Sequence, residues 1–179
     1  MKPIAQKTSD YQYADLSKKD PDWIRLHQNQ SDGDPGSKIP GETEASASDE
    51  NLEEGVDVFD VSFQSKKTAS TIALTTSCRP RYSIKNEGQI FPELKDYMQQ
   101  LLLGITAVTE RLDEETEVAG IPALQTTVVG KMQDQPIKIR AVVLKKRACL
   151  YDLVYITKPR HFSDQEKFFL IFRDSIVIP

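Results

Sequence analysis

Residues 106–157 carry four strand-like blocks of apolar and polar positions, and residues 163–174 carry a fifth with helical spacing. The four blocks, 106–120, 123–133, 137–146 and 147–157, read as paired strands. Short turn signals separate them: Gly120-Ile121-Pro122, then Gln133 to Pro136, then the basic trio Lys145-Lys146-Arg147. In the third block Ile137, Ile139, Ala141 and Val143 alternate with Lys138, Arg140, Val142 and Leu144. One face is wholly apolar and the other becomes so towards its end, which predicts a central antiparallel strand covered on both sides.

The fifth block predicts a closing helix. Ser163 with Glu166 three residues on has the form of a capping box, and Phe162 stands in the staple position before it. Phe168, Phe169, Leu170, Ile171 and Phe172 are apolar nearly all round, which predicts a buried helix. An earlier helix is expected from Pro92 to Gly104, because proline suits a first helical position and glycine the residue past the end. Leu94, Tyr97, Met98, Leu101 and Leu102 form its stripe.

Before that helix, Phe59, Val61 and Phe63 alternate on one face, with Val56 and Val58 on the other and a phase slip, read as a bulge, near Phe59. A polar turn at 64–69 leads to Ile72, Leu74, Thr76 and Cys78, so the two runs predict a hairpin. Trp23, Ile24 and Leu26 predict a first strand anchored by Trp23. Residues 1–21 read as a flexible polar tail, and residues 22–179 as a single α+β domain.

Composition changes this picture in one place. Residues 29–54 hold eight acids against Lys38, a net −7 within the chain's −4, which leaves the rest at +3. Their only large aliphatics are Ile39 and Leu52, too little apolar surface to offset the entropy of ordering. The expectation is a disordered acidic loop interrupting the domain. The mean hydropathy of −0.46 agrees with such a solvated segment. An acidic chain gives no general reason to expect nucleic-acid binding. No stretch approaches the roughly 18 apolar residues of a membrane span. No secretory h-region follows Met1, so the chain is either cytoplasmic or begins after a removed signal.

Candidate chemistry is sparse. No phosphate loop, nucleophile elbow, dinucleotide fingerprint or metalloprotease motif occurs in the 179 residues. Cys78 and Cys149 sit in apolar strand-like runs and read first as small buried hydrophobes, with a disulfide, and hence export, left open. His27 and His161 complete no metal-ligand spacing. Asp113, Glu114, Glu115 and Glu117 read as a solvated surface. Asp152, flanked by Tyr151 and Leu153, is either a structural acid or a catalytic acid with a raised pKa. Tyr82, Phe91, Tyr151 and Tyr155 read as core, with the lining of a pocket as the alternative. Arg79, Arg81 and Lys85 follow the predicted hairpin, and Lys158 and Arg160 precede the last helix. If those strand ends lie together they form a basic rim suited to an acidic partner, lipid headgroups or the acidic loop. Scattered solubility charges are the alternative.

The order of elements, hairpin, helix, antiparallel strands and closing helix, resembles the Mog1/PsbP-like fold. Val118-Ala119-Gly120-Ile121-Pro122-Ala123 looks like that family's entry into a strand. Residues 148–155 look like its penultimate strand. Residues 162–175, with Phe172 and Ser175 at the end, look like its closing helix. The resemblance spans Trp23 to Ile178 apart from the acidic insertion, which departs from the compact pattern. It implies an α/β/α sandwich around a central antiparallel sheet, with no catalytic residues and no cofactor. Many bacterial members look like small envelope lipoproteins of unassigned role. Others bind a small GTPase or belong to a photosystem's lumenal side. What it implies here is a non-enzymatic binding or assembly module with a protein or lipid partner in a bacterial envelope. A cytoplasmic regulator docking on a nucleotide-binding protein is the second reading, and a small hydrolase using Asp152 the third.

Overall fold

Among the described residues seven strands form one sheet in the order β1-β2-β3-β7-β6-β5-β4, and every neighbouring pair is antiparallel. They are β1 (Trp23–Gln28), β2 (Val61–Ser65), β3 (Thr71–Cys78), β4 (Thr106–Val118), β5 (Ile121–Met132), β6 (Gln135–Lys146) and β7 (Cys149–Thr157). Among the described residues three α-helices accompany them: α1 (Leu16–Lys19), α2 (Ile90–Leu101) and α3 (Phe162–Ser175). The computed structural model describes residues 11–28, 60–78 and 90–179. The expectations for residues 29–54 and for the bulge near Phe59 lie outside them.

Two-residue turns set the meander of β4 to β7. Ala119-Gly120 and Gln133-Asp134 both hold positive φ at each position, the geometry that matches the twist of tight hairpins. The chain then returns β7 to the side of β3, which joins the two halves of the sheet. Gly130 marks a close approach at the start of β4. A Cβ there would stand 2.7 Å from the Thr106 carbonyl oxygen and 2.9 Å from Ile105 Cγ2.

The strand period of two sorts β6 onto both faces, as its pattern predicts. Ile137, Ile139, Ala141 and Val143 pack on one side with Leu94 and Met98 of α2. Val142 and Leu144 pack on the other with Phe169 and Phe172 of α3. The result is the expected α/β/α sandwich. Helix α2 begins at Ile90, two residues before Pro92. The ring still falls in the first turn, where no N–H is required of it.

Two expectations are corrected. The tail does not extend through residue 21. Gln12 exchanges backbone hydrogen bonds with Val177, the Ala14 N–H donates to Ser175 Oγ at 2.7 Å, and Leu16 is fully buried. Tyr13 stacks edge-on against Phe63 and Phe172. The polar residues of this segment mask three apolar anchors, Tyr11, Tyr13 and Leu16. The second correction concerns the closing helix. Its capping box is not formed: Ser163 lies inside the first turn, and His161 at the cap makes no side-chain bond. A 3-10 turn at Pro159–His161 leads the chain in instead, and Glu166 turns away to pair with Arg140. Nor is the helix buried all round. Phe168, Phe169 and Phe172 are buried while Ile171 is 42% exposed, so the helix has one apolar face.

Candidate binding surface

The register places all connections of the sheet at one of two ends. One end gathers the start of β1, the β2–β3 turn, the end of β7, the β5–β6 turn and the start of β4. These connections are rich in cations. Lys18 and Lys19 lie on α1, Lys66 and Lys67 on the β2–β3 turn, Lys131 beside the β5–β6 turn, and Lys158 and Arg160 on the run into α3. The acids near them are Asp15, which pairs with Arg25, the buried Asp22, and Asp20, Asp134 and Asp164, so the seven cations outnumber them. None of the seven makes an ion pair among the described residues.

A buried polar chain holds these turns in place. Ser65 Oγ donates to Asp22 Oδ2 at 2.5 Å, and the Lys67 N–H donates to Asp22 Oδ1 at 3.0 Å. The Lys66 N–H donates to the Asp22 carbonyl oxygen at 2.9 Å. Ser65 Oγ in turn accepts from the Thr68 N–H, the Thr68 and Ser70 hydroxyls lie 2.6 Å apart, and Ser70 Oγ is 2.6 Å from Thr157 Oγ1. Asp22, Ser65, Ser70 and Thr157 are all buried. Satisfied polar networks of this kind rigidify what they connect. This one runs from β1 through the Lys66–Lys67 turn to the residue before Lys158, and so fixes where three cations stand. Sequence reading passed over Asp22. Its signal was an acid immediately before the Trp23 anchor.

The neighbouring entry to α3 is equally fixed. The Tyr155 hydroxyl donates to the Phe162 carbonyl oxygen at 2.8 Å. Burial, with the Glu166 charge second, drives that hydroxyl's pKa well above the ordinary tyrosine value. Lys138 Nζ lies 4.4 Å from the centre of the Phe162 ring, with the Arg140 guanidinium beside it.

Of the expected rim, Lys158 and Arg160 belong to this end and are exposed. Arg79, Arg81 and Lys85 lie outside the described residues, as does Tyr82. Cys78, just before Arg79, pairs with Cys149 at the far end of β7 from Lys158. Nine residues of strand separate them, roughly 30 Å at 3.4 Å per residue. The described part of the rim is therefore extended by lysines that the reading left out, Lys66 and Lys67 foremost.

The other end is tied down. Cys78 and Cys149 form a disulfide across β3 and β7, which corrects their reading as two small buried hydrophobes. Cys78 is exposed, and Cys149 is partly buried against the core. Lys145 is buried and bonds Glu93 of α2 at 2.9 Å. Lys146 Nζ donates to the Ile178 carbonyl oxygen at 2.8 Å. Gln28 pairs with Val61 here, so both strand ends flanking the acidic segment lie at this end.

Asp152 lies mid-sheet, half-buried on the α2 face, across from Thr75 on β3 and Val143 on β6. The acids of β4 line an edge strand. Asp113 accepts from the Thr126 hydroxyl and pairs with Arg111, and Glu114 accepts from the Gln125 amide. Among the described residues, no three His, Cys, Asp or Glu side chains gather in a metal-binding group. Tyr151 and Tyr155 are core residues, and Phe91 is partly buried against the α2 side. Among the described residues no helix is long and apolar enough to cross a membrane.

No protein-family model matches the chain, and no curated protein sequence does. Solved structures do resemble it. The solution structure of cyanobacterial PsbP (CyanoP) from Synechocystis sp. PCC 6803 aligns over 98% of this chain and 96% of its own, with TM-score 0.52 and 11% identity. A Pseudomonas aeruginosa protein of unknown function, PA94, aligns over 60% of this chain and 72% of its own, with TM-score 0.43 and 11% identity. At this identity the likeness to CyanoP is one of fold: the chain has a PsbP-like α/β sandwich.

Proposed function

We propose that this chain is a non-enzymatic binding or assembly module of a bacterial cell envelope, and that it docks through the cationic end of its sheet. One observation carries the reading: seven cations, none paired among the described residues and three of them braced by a buried polar network, stand at the end opposite the strand ends that flank the acidic segment. Exposed lysines scattered for solubility have no need of a buried network beneath them. Lys66, Lys67 and Lys158 have one, through Asp22, Ser65, Ser70 and Thr157. Opposite charges across an interface steer encounter and fix orientation, so the partner presents an anionic surface.

The disulfide supports the compartment. Bridges of this kind persist in oxidising environments and are kept open in a reducing cytosol. That favours the envelope over a cytoplasmic regulator. The fold by itself argues for no activity.

The test is cosedimentation of the full chain with a bacterial envelope preparation. The wild type is expected to pellet with envelopes at low salt and to be released as ionic strength rises. A variant carrying Lys66→Glu, Lys67→Glu, Lys158→Glu and Arg160→Glu should remain in the supernatant. A wild type that never pellets, or a variant that pellets equally well, sinks the proposal.

A further inference from the structure

The cationic end also carries exposed apolar tips. Leu103, in the turn after α2, is 78% exposed, and Met132, entering the β5–β6 turn, is 37% exposed. The register brings both to the lysine-bearing end: Thr106 pairs with Lys131, and Met132 with Gln135. The β5–β6 hairpin runs past the end of β7, since Lys138 already pairs with Thr157.

Resting on the reading of this end as the docking surface, we infer that its partner is an anionic lipid bilayer. Leu103 and Met132 enter the headgroup boundary, and Lys66, Lys67, Lys131 and Lys158 lie against the lipid charges. Three features select lipid over other anionic partners. Single aliphatic tips on turns match the apolar depth of a headgroup layer. The cations are lysines with one arginine, and lysine is a point charge suited to a diffuse anionic surface. Planar, two-pronged recognition of a fixed carboxylate or phosphate calls for arginine. No aromatic residue stands among the exposed large hydrophobics, so the described surface offers no platform for stacked bases.

The experiment is vesicle cosedimentation of the full chain, using neutral phosphatidylcholine vesicles and vesicles with about a third phosphatidylglycerol, a charge that juxtaposed lysines sense at about five-fold in partitioning each. Binding is expected to the anionic vesicles alone, weakening about 20-fold or more for the double variant Lys66→Glu and Lys67→Glu. A second variant, Leu103→Asn with Met132→Asn, alters no charge and no buried side chain. It is expected to weaken binding at least ten-fold while the salt dependence stays unchanged. Failure to bind anionic vesicles overturns the inference, and so does indifference to the second variant. Capture of a short DNA duplex or a polyglutamate chain instead of vesicles also overturns it and reassigns the surface. Pelleting with envelopes but not with protein-free vesicles overturns the lipid assignment alone and leaves the docking module with a protein partner.

Discussion

The two ends of the sheet use the same residue type in opposite ways. At the disulfide end Lys145 is buried against Glu93, and Lys146 bonds the carbonyl oxygen of Ile178. At the other end Lys66, Lys67 and Lys158 stand in solvent on turns braced from below. A lysine's role is set by what the topology folds over it. Helix α2 starts beside Lys145 and brings a carboxylate, and the C-terminal segment passes Lys146 and brings a carbonyl. On the β2–β3 turn the backbone is bonded from below by Asp22 while the Lys66 and Lys67 side chains stay exposed. The cations of one end are spent on holding the fold together, and those of the other remain available to a partner.

The largest effect should come from opening the disulfide, which closes a loop with a sequence separation of 71 residues. Replacing Cys78 and Cys149 by serine is expected to lower stability by about 2–5 kcal/mol, seen as a drop in the urea midpoint. Envelope binding by the protein that remains folded should not change, because no charge at the cationic end is altered. Loss of binding in step with the bridge would mean that the two ends are not independent.

Asp22→Ala strikes the other end. It removes a buried carboxylate that accepts from Ser65 and from the Lys67 N–H, leaving both donors short of a partner. The expected cost is about 2–3 kcal/mol. Unlike the cysteine variant, it should also weaken envelope binding, since the Lys66–Lys67 turn loses its brace. If binding is untouched, the network serves stability alone and the contrast between the ends becomes one of charge rather than of rigidity.

The layers of the molecule were more legible than its surface. Period-two alternation in β6 foretold a strand covered on both sides, and the Leu94-to-Leu102 stripe foretold the helix that covers one of them. Both readings rest on local spacing, which is what side-chain periodicity encodes. The closing helix was placed correctly but its start was misread. A capping-box pattern is only a local offer, and here Glu166 found a stronger partner in Arg140, 26 residues away. The cysteines were misread for a related reason. Their pairing depends on β7 returning to β3, a choice of topology that no local pattern records. The same return brings Lys158 near the Lys66–Lys67 turn across a long stretch of sequence, a proximity that no local pattern records.

The smallest effect tests the N-terminal segment that packs under the sheet. Burial works against the charged form of Asp15, but hydrogen bonds from Ser17 and the Arg25 guanidinium hold its carboxyl below the usual carboxylate range. A folded pKa lower than the unfolded one means that the ionised form stabilises the fold. That contribution is present above the unfolded value of about 4 and is lost as pH falls through the folded value. Asp15 sits at the N-cap of α1, where asparagine caps as well as aspartate does, so Asp15→Asn isolates the charge. The pair is partly open to solvent, which limits the effect to under about 1 kcal/mol. Urea midpoints followed from about pH 6 down to about pH 2 should show the wild type more stable at the upper end. The curves should then converge as Asp15 takes up its proton. Curves that stay parallel across the range would mean that Arg25 owes its place to the Tyr13 ring and hydroxyl, which it also meets, and not to the ion pair.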